Sequence, residues 1–148
     1  MGTQFTRYAD QQILMAVLKG VALPATPAIV GLLKYTAGTP AGAVPNRDNV
    51  EEVRAADHPA YNRKDLGNMT LTQVNGQIPA SLANDTQILW DEATTDWGNI
   101  VGCGIYDART NGNLWICTFT PVAQQRIVRI GDRLAVPVQQ IIVSGGNT

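Results

Sequence analysis

The clearest periodic pattern of apolar residues lies near the N-terminus and predicts one helix over residues 6–19. Its apolar side chains recur at a spacing that places them on one side of a helix: Ile13, Leu14, Val17 and Leu18. Thr6 is a suitable N-cap, and Lys19 followed by Gly20 is a typical helix end. An amphipathic helix needs a partner surface. We expect it to pack on the protein's own sheet, with packing on another subunit as the alternative.

A short apolar run over residues 28–35 predicts a strand, and a long excursion follows it. Residues 36–60 contain repeated Gly and Pro but few large apolar side chains, so we expect a loop or arm, with a turn or two of helix at 48–56. In a single molecule this segment would be a floppy loop. In an assembly it could be an arm lying on a neighbouring subunit.

Residues 61–148 alternate short apolar stretches with turn signals, which is typical of a β core. The predicted strands are 69–74, 86–90, 101–105, 114–119, 126–130 and 134–143, with a hairpin turn at Asn75-Gly76. The residues assigned to structural turns are Gly98, Asp107, Asn111, Gly112, Gly131 and Asp132.

Two details of phase refine this β pattern. Val101, Cys103 and Ile105 are expected to share one face of a strand, and the last strand slips in phase near residues 139–140, which predicts a bulge. The fold class is therefore mainly β: an antiparallel β-sandwich or barrel-like domain with one N-terminal amphipathic helix and a long loop excursion. We expect residues 1–148 to form a single domain.

Composition excludes several classes of protein. Hydrophobic residues make up 45% of the 148, charged residues only 16%, and the formal net charge is −1. These values fit neither a disordered charged tail nor a coiled coil, and they argue against a basic nucleic-acid-binding module. The apolar stretch at 13–23 is too short to span a bilayer and is interrupted by Lys19. It fits the predicted helix better than a signal peptide. We expect neither nucleic acid nor membrane as a partner.

Candidate catalytic chemistry is scarce. His58 is the only histidine and lies in the excursion, where a solvated loop residue is the simplest interpretation. If the 107–112 turn is centred near Thr110, Cys103 and Cys117 lie opposite each other. We favour free buried thiols, with a cross-strand disulfide as the alternative. We therefore predict no catalytic residues, no cofactor, no metal site and no enzymatic activity.

A series of turn motifs carries a resemblance to a known family. They comprise the run from Asp96-Trp97-Gly98 to Tyr106-Asp107-Ala108, the Asn111-Gly112-Asn113-Leu114 turn, Gly131-Asp132, Gly31-Leu32-Leu33, and Tyr61-Asn62-Arg63. In this pattern the chain resembles the Gp80-type tail fibre proteins of tailed bacteriophages. Asn111 departs from it, since Gly is common there, and Cys103 and Cys117 are unusual. The resemblance is absent over residues 36–60.

The resemblance implies a non-enzymatic structural protein of the virion, made in the host cytoplasm and present in many copies. We expect a homo-oligomer that also binds other virion proteins. Because a long repetitive or coiled-coil shaft is not evident in the sequence, we favour a capsid decoration or cement protein on the major capsid protein. The alternatives are a tail fibre or baseplate accessory protein, or a carbohydrate- or surface-binding β module. Candidate interface anchors are Trp90, Trp97, Trp115 and Tyr61, each of which could instead belong to the core.

Overall fold

The computed structural model describes residues 3–40, 42–72, 81–120, 124–138 and 140–144. The fold is mainly β, with 35% strand and 11% helix, and its antiparallel sheet curls into a half-barrel, which confirms the predicted class. The elements in chain order are β1 (Thr3–Phe5), α1 (Arg7–Lys19), β2 (Ile29–Tyr35), β3 (Val50–Glu52), β4 (Lys64–Asp65), β5 (Met69–Thr72), β6 (Ser81–Asn84), β7 (Ile88–Leu89), β8 (Gly98–Tyr106), β9 (Leu114–Phe119), β10 (Arg126–Val128), β11 (Ala135–Val136) and β12 (Ile142–Ser144).

The largest sheet has the order β1-β9-β8-β2-β3 and is centred on β8. Ile100 of β8 pairs with both Lys34 and Arg126, so β10 lies on the edge of β8 opposite β2 and continues the line of β9. Ile29 pairs in the same way with Tyr106 and Asp65, which places β4 in line with β3. The sheet is thus five strands wide. β9 and β10 lie end to end beside β8, and β3 and β4 lie end to end beside β2.

A bulge in β8 changes which of its side chains enter the core. The pairing with β2 shifts by one residue between Leu33 and Lys34, which leaves Val101 as the extra residue on β8. The main core cluster consequently contains Ile100, Cys103 and Ile105, whereas Val101 is buried outside that cluster. The expectation that Val101 shares a face with Cys103 and Ile105 is therefore wrong, because the bulge reverses the alternation at that point.

The segment predicted as one strand at 134–143 is two strands in two different sheets. Its first part, β11, pairs with β7, and its last part, β12, pairs with β6. The phase slip seen in the sequence therefore marks a crossing between sheets rather than a bulge within a strand. Gln139 and the Asn75-Gly76 turn lie outside the described residues.

Asn84 holds this crossing in place from a fully buried position. Its Nδ2 donates to the carbonyls of Thr86 (2.9 Å) and Pro137 (3.0 Å), and its Oδ1 accepts from the backbone N–H of Ile141 at 2.9 Å. The side-chain amide thus replaces ladder hydrogen bonds where the chain leaves one sheet for the other.

The excursion after β2 folds back on its own domain. The N–H of Thr36 donates to the carbonyl of Asn49 at 3.0 Å, which brings the end of β2 and the start of β3 together. Residues 50–52 then pair with β2 as a strand, so the helical turns predicted at 48–56 are wrong. The error has a physical reason: Val50–Glu52 lies at an open edge of the sheet, and this tertiary pairing outweighs the local preference.

We predict that Asn84→Ala lowers the free energy of unfolding by about 2–3 kcal/mol, because three hydrogen bonds are lost and the buried N–H of Ile141 is left without its acceptor. Chemical denaturation of the purified chain measures this change. Asn68→Ala is the matched control, since Asn68 is exposed, and a shift below about 0.5 kcal/mol is expected there. Equal losses in the two variants would contradict the role given to Asn84.

Candidate functional site

The residues considered for catalysis are not assembled into a reactive group. His58 Nδ1 lies 2.7 Å from the Thr95 hydroxyl, which is a contact between two loops. Among the residues that the structure describes, no cluster of His, Cys, Asp or Glu could hold a metal ion. The same residues include no helix long and apolar enough to cross a bilayer.

The two cysteines are free and buried, as favoured from the sequence, but they do not lie opposite each other. The pairing of β8 with β9 shifts by one residue at Trp115, so Cys103 pairs with Thr118 and Cys117 pairs with Gly104. Neighbouring positions in a strand face opposite sides of the sheet, which separates the two sulfurs. Burial raises the pKa of Cys103 to about 12 and that of Cys117 to about 11, so neither thiol is reactive near neutral pH.

The four aromatic residues considered as interface anchors are buried. Trp90, Trp97, Trp115 and Tyr61 are all less than 5% exposed. Trp97 packs edge-on against Tyr61, with ring centroids 5.6 Å apart, and Trp90 Nε1 donates to the carbonyl of Asn62 at 2.8 Å. The structure thus assigns these side chains to the core, where they present no ring to a partner.

Tyr61 fills a gap in the sheet between β3 and β4. Its hydroxyl accepts from the backbone N–H of Leu32 at 3.0 Å and donates to Glu52 at 2.6 Å. Burial, reinforced by the Glu52 carboxylate, raises the pKa of the Tyr61 phenol. A Cβ on Gly31 would lie 2.5 Å from the Glu52 carboxylate, so only glycine fits beside this cluster.

Arg63 connects this cluster to the β8–β9 hairpin. It binds both oxygens of Glu52 at 2.8 Å, and its guanidinium lies 3.7 Å from the centroid of the Tyr106 ring. Its Nη1 also donates to the carbonyls of Ala108 and Asn111. The bidentate ion pair of Arg63 with Glu52 and the stacking of its guanidinium on Tyr106 hold Arg63 in place, and its hydrogen bonds to the loop carbonyls then fix the hairpin loop against the sheet.

The hairpin loop in turn positions Trp115. Asn111 and Gly112 have φ values of 55° and 69°, a left-handed conformation that suits Asn and Gly. The loop folds around Asp107, which accepts from the backbone N–H of Asn113 at 2.8 Å and from Trp115 Nε1 at 3.0 Å. These hydrogen bonds, that from Trp115 foremost, hold the pKa of Asp107 below its usual value.

Gly131 lies in a turn, as predicted, and has a positive φ value. Gly98 also has a positive φ value, but it is the first residue of β8 and pairs with Val128, so the prediction of a turn at Gly98 is wrong. The Asp132 carboxylate accepts from the backbone N–H of Arg129 at 2.8 Å and closes its own turn.

The start of helix α1 packs against Trp115. Its ring meets the Tyr8 ring edge-on, with centroids 5.3 Å apart, and its carbonyl accepts from the N–H of Thr6 at 3.0 Å. Thr6 Oγ1 accepts from the N–H of Ala9, as the N-cap predicted from the sequence, and donates to the carbonyl of Leu114 at 2.6 Å. Gly20 ends the helix in the left-handed conformation.

Residues of the excursion also contact the N-terminal end of α1. The Arg47 backbone N–H donates to Gln4, and its Nη1 donates to the Phe5 carbonyl at 2.7 Å and to Asp10 at 3.2 Å. Arg7 forms an exposed ion pair with Asp48 at 2.6 Å. Nothing in the sequence pattern connected residues 47–48 to the helix, because the contacts join segments about 40 residues apart.

The far half of α1 carries an exposed apolar face. Leu14, Val17 and Leu18 are 57%, 75% and 75% exposed, and Val21 and Leu23 beyond the helix are also exposed. We name these five residues the helix stripe. The side of the helix that faces the domain contains Ala9, which is completely buried, and Tyr8, Gln12, Ile13 and Ala16, which are partly buried. The helix does pack on the protein's own sheet, as expected, through contacts with β9 and β1. Of the apolar residues predicted to face that sheet, however, only Ile13 is partly buried, whereas Leu14, Val17 and Leu18 are exposed.

Comparison with known proteins adds one finding to this geometry. A family model described as Gp80, podophage GP4 fiber I protein gp80, matches residues 4–144. No curated protein matches the chain. The matched range contains the sheet, the helix, the hairpin and the excursion, including the part over which the turn motifs gave no resemblance.

We predict that Asp107→Asn lowers the stability by about 1 kcal/mol at pH 7, because an amide cannot replace the charged acceptor of the Trp115 N–H. Since the pKa of Asp107 is lowered in the folded state, its contribution is present above the unfolded pKa of about 3.9 and is lost as the pH falls through the folded value. The stability difference between the two proteins should therefore shrink on acidification.

Denaturant unfolding from pH 7 to pH 2.5 measures this dependence. Asp57→Asn is the control, because Asp57 is exposed and no side-chain hydrogen bond is found for it among the described residues. A constant difference between Asp107→Asn and the unmodified chain across the pH range would contradict the assignment.

Proposed function

Because the chain belongs to the Gp80 family of podophage fibre proteins, we propose that it is a non-enzymatic structural subunit of the phage tail fibre that binds copies of itself and other virion proteins. The observation that carries the proposal is the helix stripe, which places large apolar side chains in solvent on a firmly seated helix. Exposed apolar surface of this kind is typical of protein interaction sites.

The partly buried network of side chains supports a structural role for the domain. Arg63, Glu52 and Tyr61 join the sheet to the hairpin, and Asp107 and Trp115 join the hairpin to the helix. Each polar group in this series is used to hold another element in position. These contacts support a structural role that involves no chemical step.

Capsid decoration, which we expected from the sequence, is a second hypothesis. A protein attached to the capsid lattice needs an apolar docking surface of the same kind, so the helix stripe is compatible with it. The description of the family favours the fibre. A carbohydrate-binding module receives less support, because all three tryptophans are buried and offer no stacking surface.

Location in the virion tests the proposal. Purified virions are labelled with a Fab fragment raised against the folded chain and imaged by electron microscopy. We expect Fab density only at the tail, at the fibre positions. Density across the capsid lattice would replace the fibre assignment by capsid decoration. Absence of the chain from purified virions, checked by mass spectrometry, would contradict both.

A further inference from the structure

We propose that Arg47 is a clamp that holds residues 3–19 on the sheet, and that these residues open from the sheet as one unit while the rest of the domain stays folded. We name residues 3–19, which contain β1 and α1, the N-terminal segment. The segment carries Leu14, Val17 and Leu18 of the helix stripe, so the clamp sets where these side chains lie. The inference concerns how the helix is held and does not depend on what covers the stripe.

Arg47 bonds to both elements of the N-terminal segment. Its backbone N–H donates to Gln4 Oε1 at 2.9 Å, in β1. Its Nη1 donates to the carbonyl of Phe5 at 2.7 Å, at the end of β1, and to the carboxylate of Asp10 at 3.2 Å, in the first turns of α1. One residue thereby joins the strand to the helix, and neither element can leave the sheet without breaking a bond to Arg47.

The clamp lies in a preformed turn. Asn49 Oδ1 accepts from the N–H of Asn46, and Asn46 Oδ1 accepts from the N–H of Asp48, each at 2.8 Å. Asn side chains that bond to nearby backbone groups in this way stabilise turns. The carbonyl of Asn49 accepts from the N–H of Thr36, at the end of β2. Arg47 is therefore positioned by a turn that is fastened to the main sheet and not by the segment that it holds.

The other contacts of the N-terminal segment with the domain are few. β1 pairs with β9 over three residues. Among residues 3–19, all of which the structure describes, only Ala9 is completely buried. Thr6 and Tyr8 contact Trp115, and Thr3 Oγ1 donates to the carbonyl of Ile142. A segment with so little buried apolar surface should open at a lower free energy than β8, which is buried between two neighbouring strands.

The connection from the N-terminal segment to β2 permits this movement. Gly20 ends α1, and β2 begins at Ile29. Residues 20–24 are exposed, and residues 22–27 form no backbone hydrogen bond with another described residue. A connection of this kind can change its dihedral angles with little loss of packing, as hinge segments do. The segment can therefore leave the sheet without pulling β2 away from β8.

Native-state hydrogen exchange of the unmodified chain, read by NMR at low denaturant concentrations, tests whether the segment opens as one unit. Thr6 and Asp10 report on it, because their N–H groups donate to the carbonyls of Trp115 and Thr6. Both amides should show one opening free energy and one denaturant dependence, below the values for β8. Different opening free energies at Thr6 and Asp10 would overturn the single unit.

Arg47→Met tests the clamp, because it removes both side-chain hydrogen bonds and keeps an unbranched apolar side chain. Exchange at Thr6 and Asp10 should become about tenfold faster. Arg7→Met is the matched control: its ion pair with Asp48 is exposed, so exchange at the same amides should change less than about twofold. Unchanged exchange in Arg47→Met, or equal acceleration in the two variants, would overturn the role of Arg47.

Asn84→Ala separates opening of the segment from unfolding of the whole domain. Asn84 lies outside the N-terminal segment and stabilises the crossing between the sheets. Its loss should therefore speed exchange in β8, while exchange at Thr6 and Asp10 stays within about twofold of that in the unmodified chain. Equal acceleration in β8 and in the segment would mean that the segment leaves the sheet only when the domain unfolds, and the proposal would be wrong.

Discussion

Strand β8 pairs along both of its edges, and the positions of the other elements follow from that pairing. β2 occupies one edge, and β9 continued by β10 occupies the other. Such close pairing requires small residues: a Cβ on Gly102 would collide with the Thr118 carbonyl, and one on Gly104 would lie 2.7 Å from Leu114. The backbone of β8 is thereby shielded on both edges, and residues 100–106 are all buried. This arrangement accounts for a core that contains Cys103 and Ile105 with large aromatic rings around them.

The bulge in β9 at Trp115 connects the sheet to helix α1. The bulge at Trp115 places the indole where Asp107 can bind its N–H and where Tyr8 can pack on its ring. Helix α1 is thus fastened through its first turn, and the excursion reinforces that attachment through Arg47. None of these contacts reaches Val17 or Leu18, which remain exposed. A rigid sheet therefore presents one free helix face, and we attribute the assembly function to that face.

The sequence predicts the fold class and the helix well, because local signals determine both. Thr6 and Gly20 cap α1 as expected, and the strands at 29–35, 114–119 and 126–128 coincide with apolar runs. The predictions failed where contacts between distant segments of the chain determine the local structure. β1 is too short to leave a pattern and forms because β9 has an open edge, and Val50–Glu52 is a strand because β2 has one. The bulges at Val101 and Trp115 shift the register by one residue, which changes the faces of Val101 and Cys117. Periodicity identified Ile13, Leu14, Val17 and Leu18 as the apolar side of the helix, but it could not show that the domain would cover Ile13 in part and leave the other three exposed.

The central claim is that the domain fixes α1 mainly through its first turn and leaves the exposed side of its second half, with Leu14, Val17 and Leu18, for assembly. Hydrogen–deuterium exchange, read by mass spectrometry on the dilute chain and on intact virions, measures this at the level of peptides. We predict that amides of residues 14–19 exchange rapidly in the dilute chain and at least tenfold more slowly in virions, whereas β8 stays protected in both. Equal protection of α1 and β8 in the dilute chain, or no change in residues 14–19 on assembly, would contradict the account.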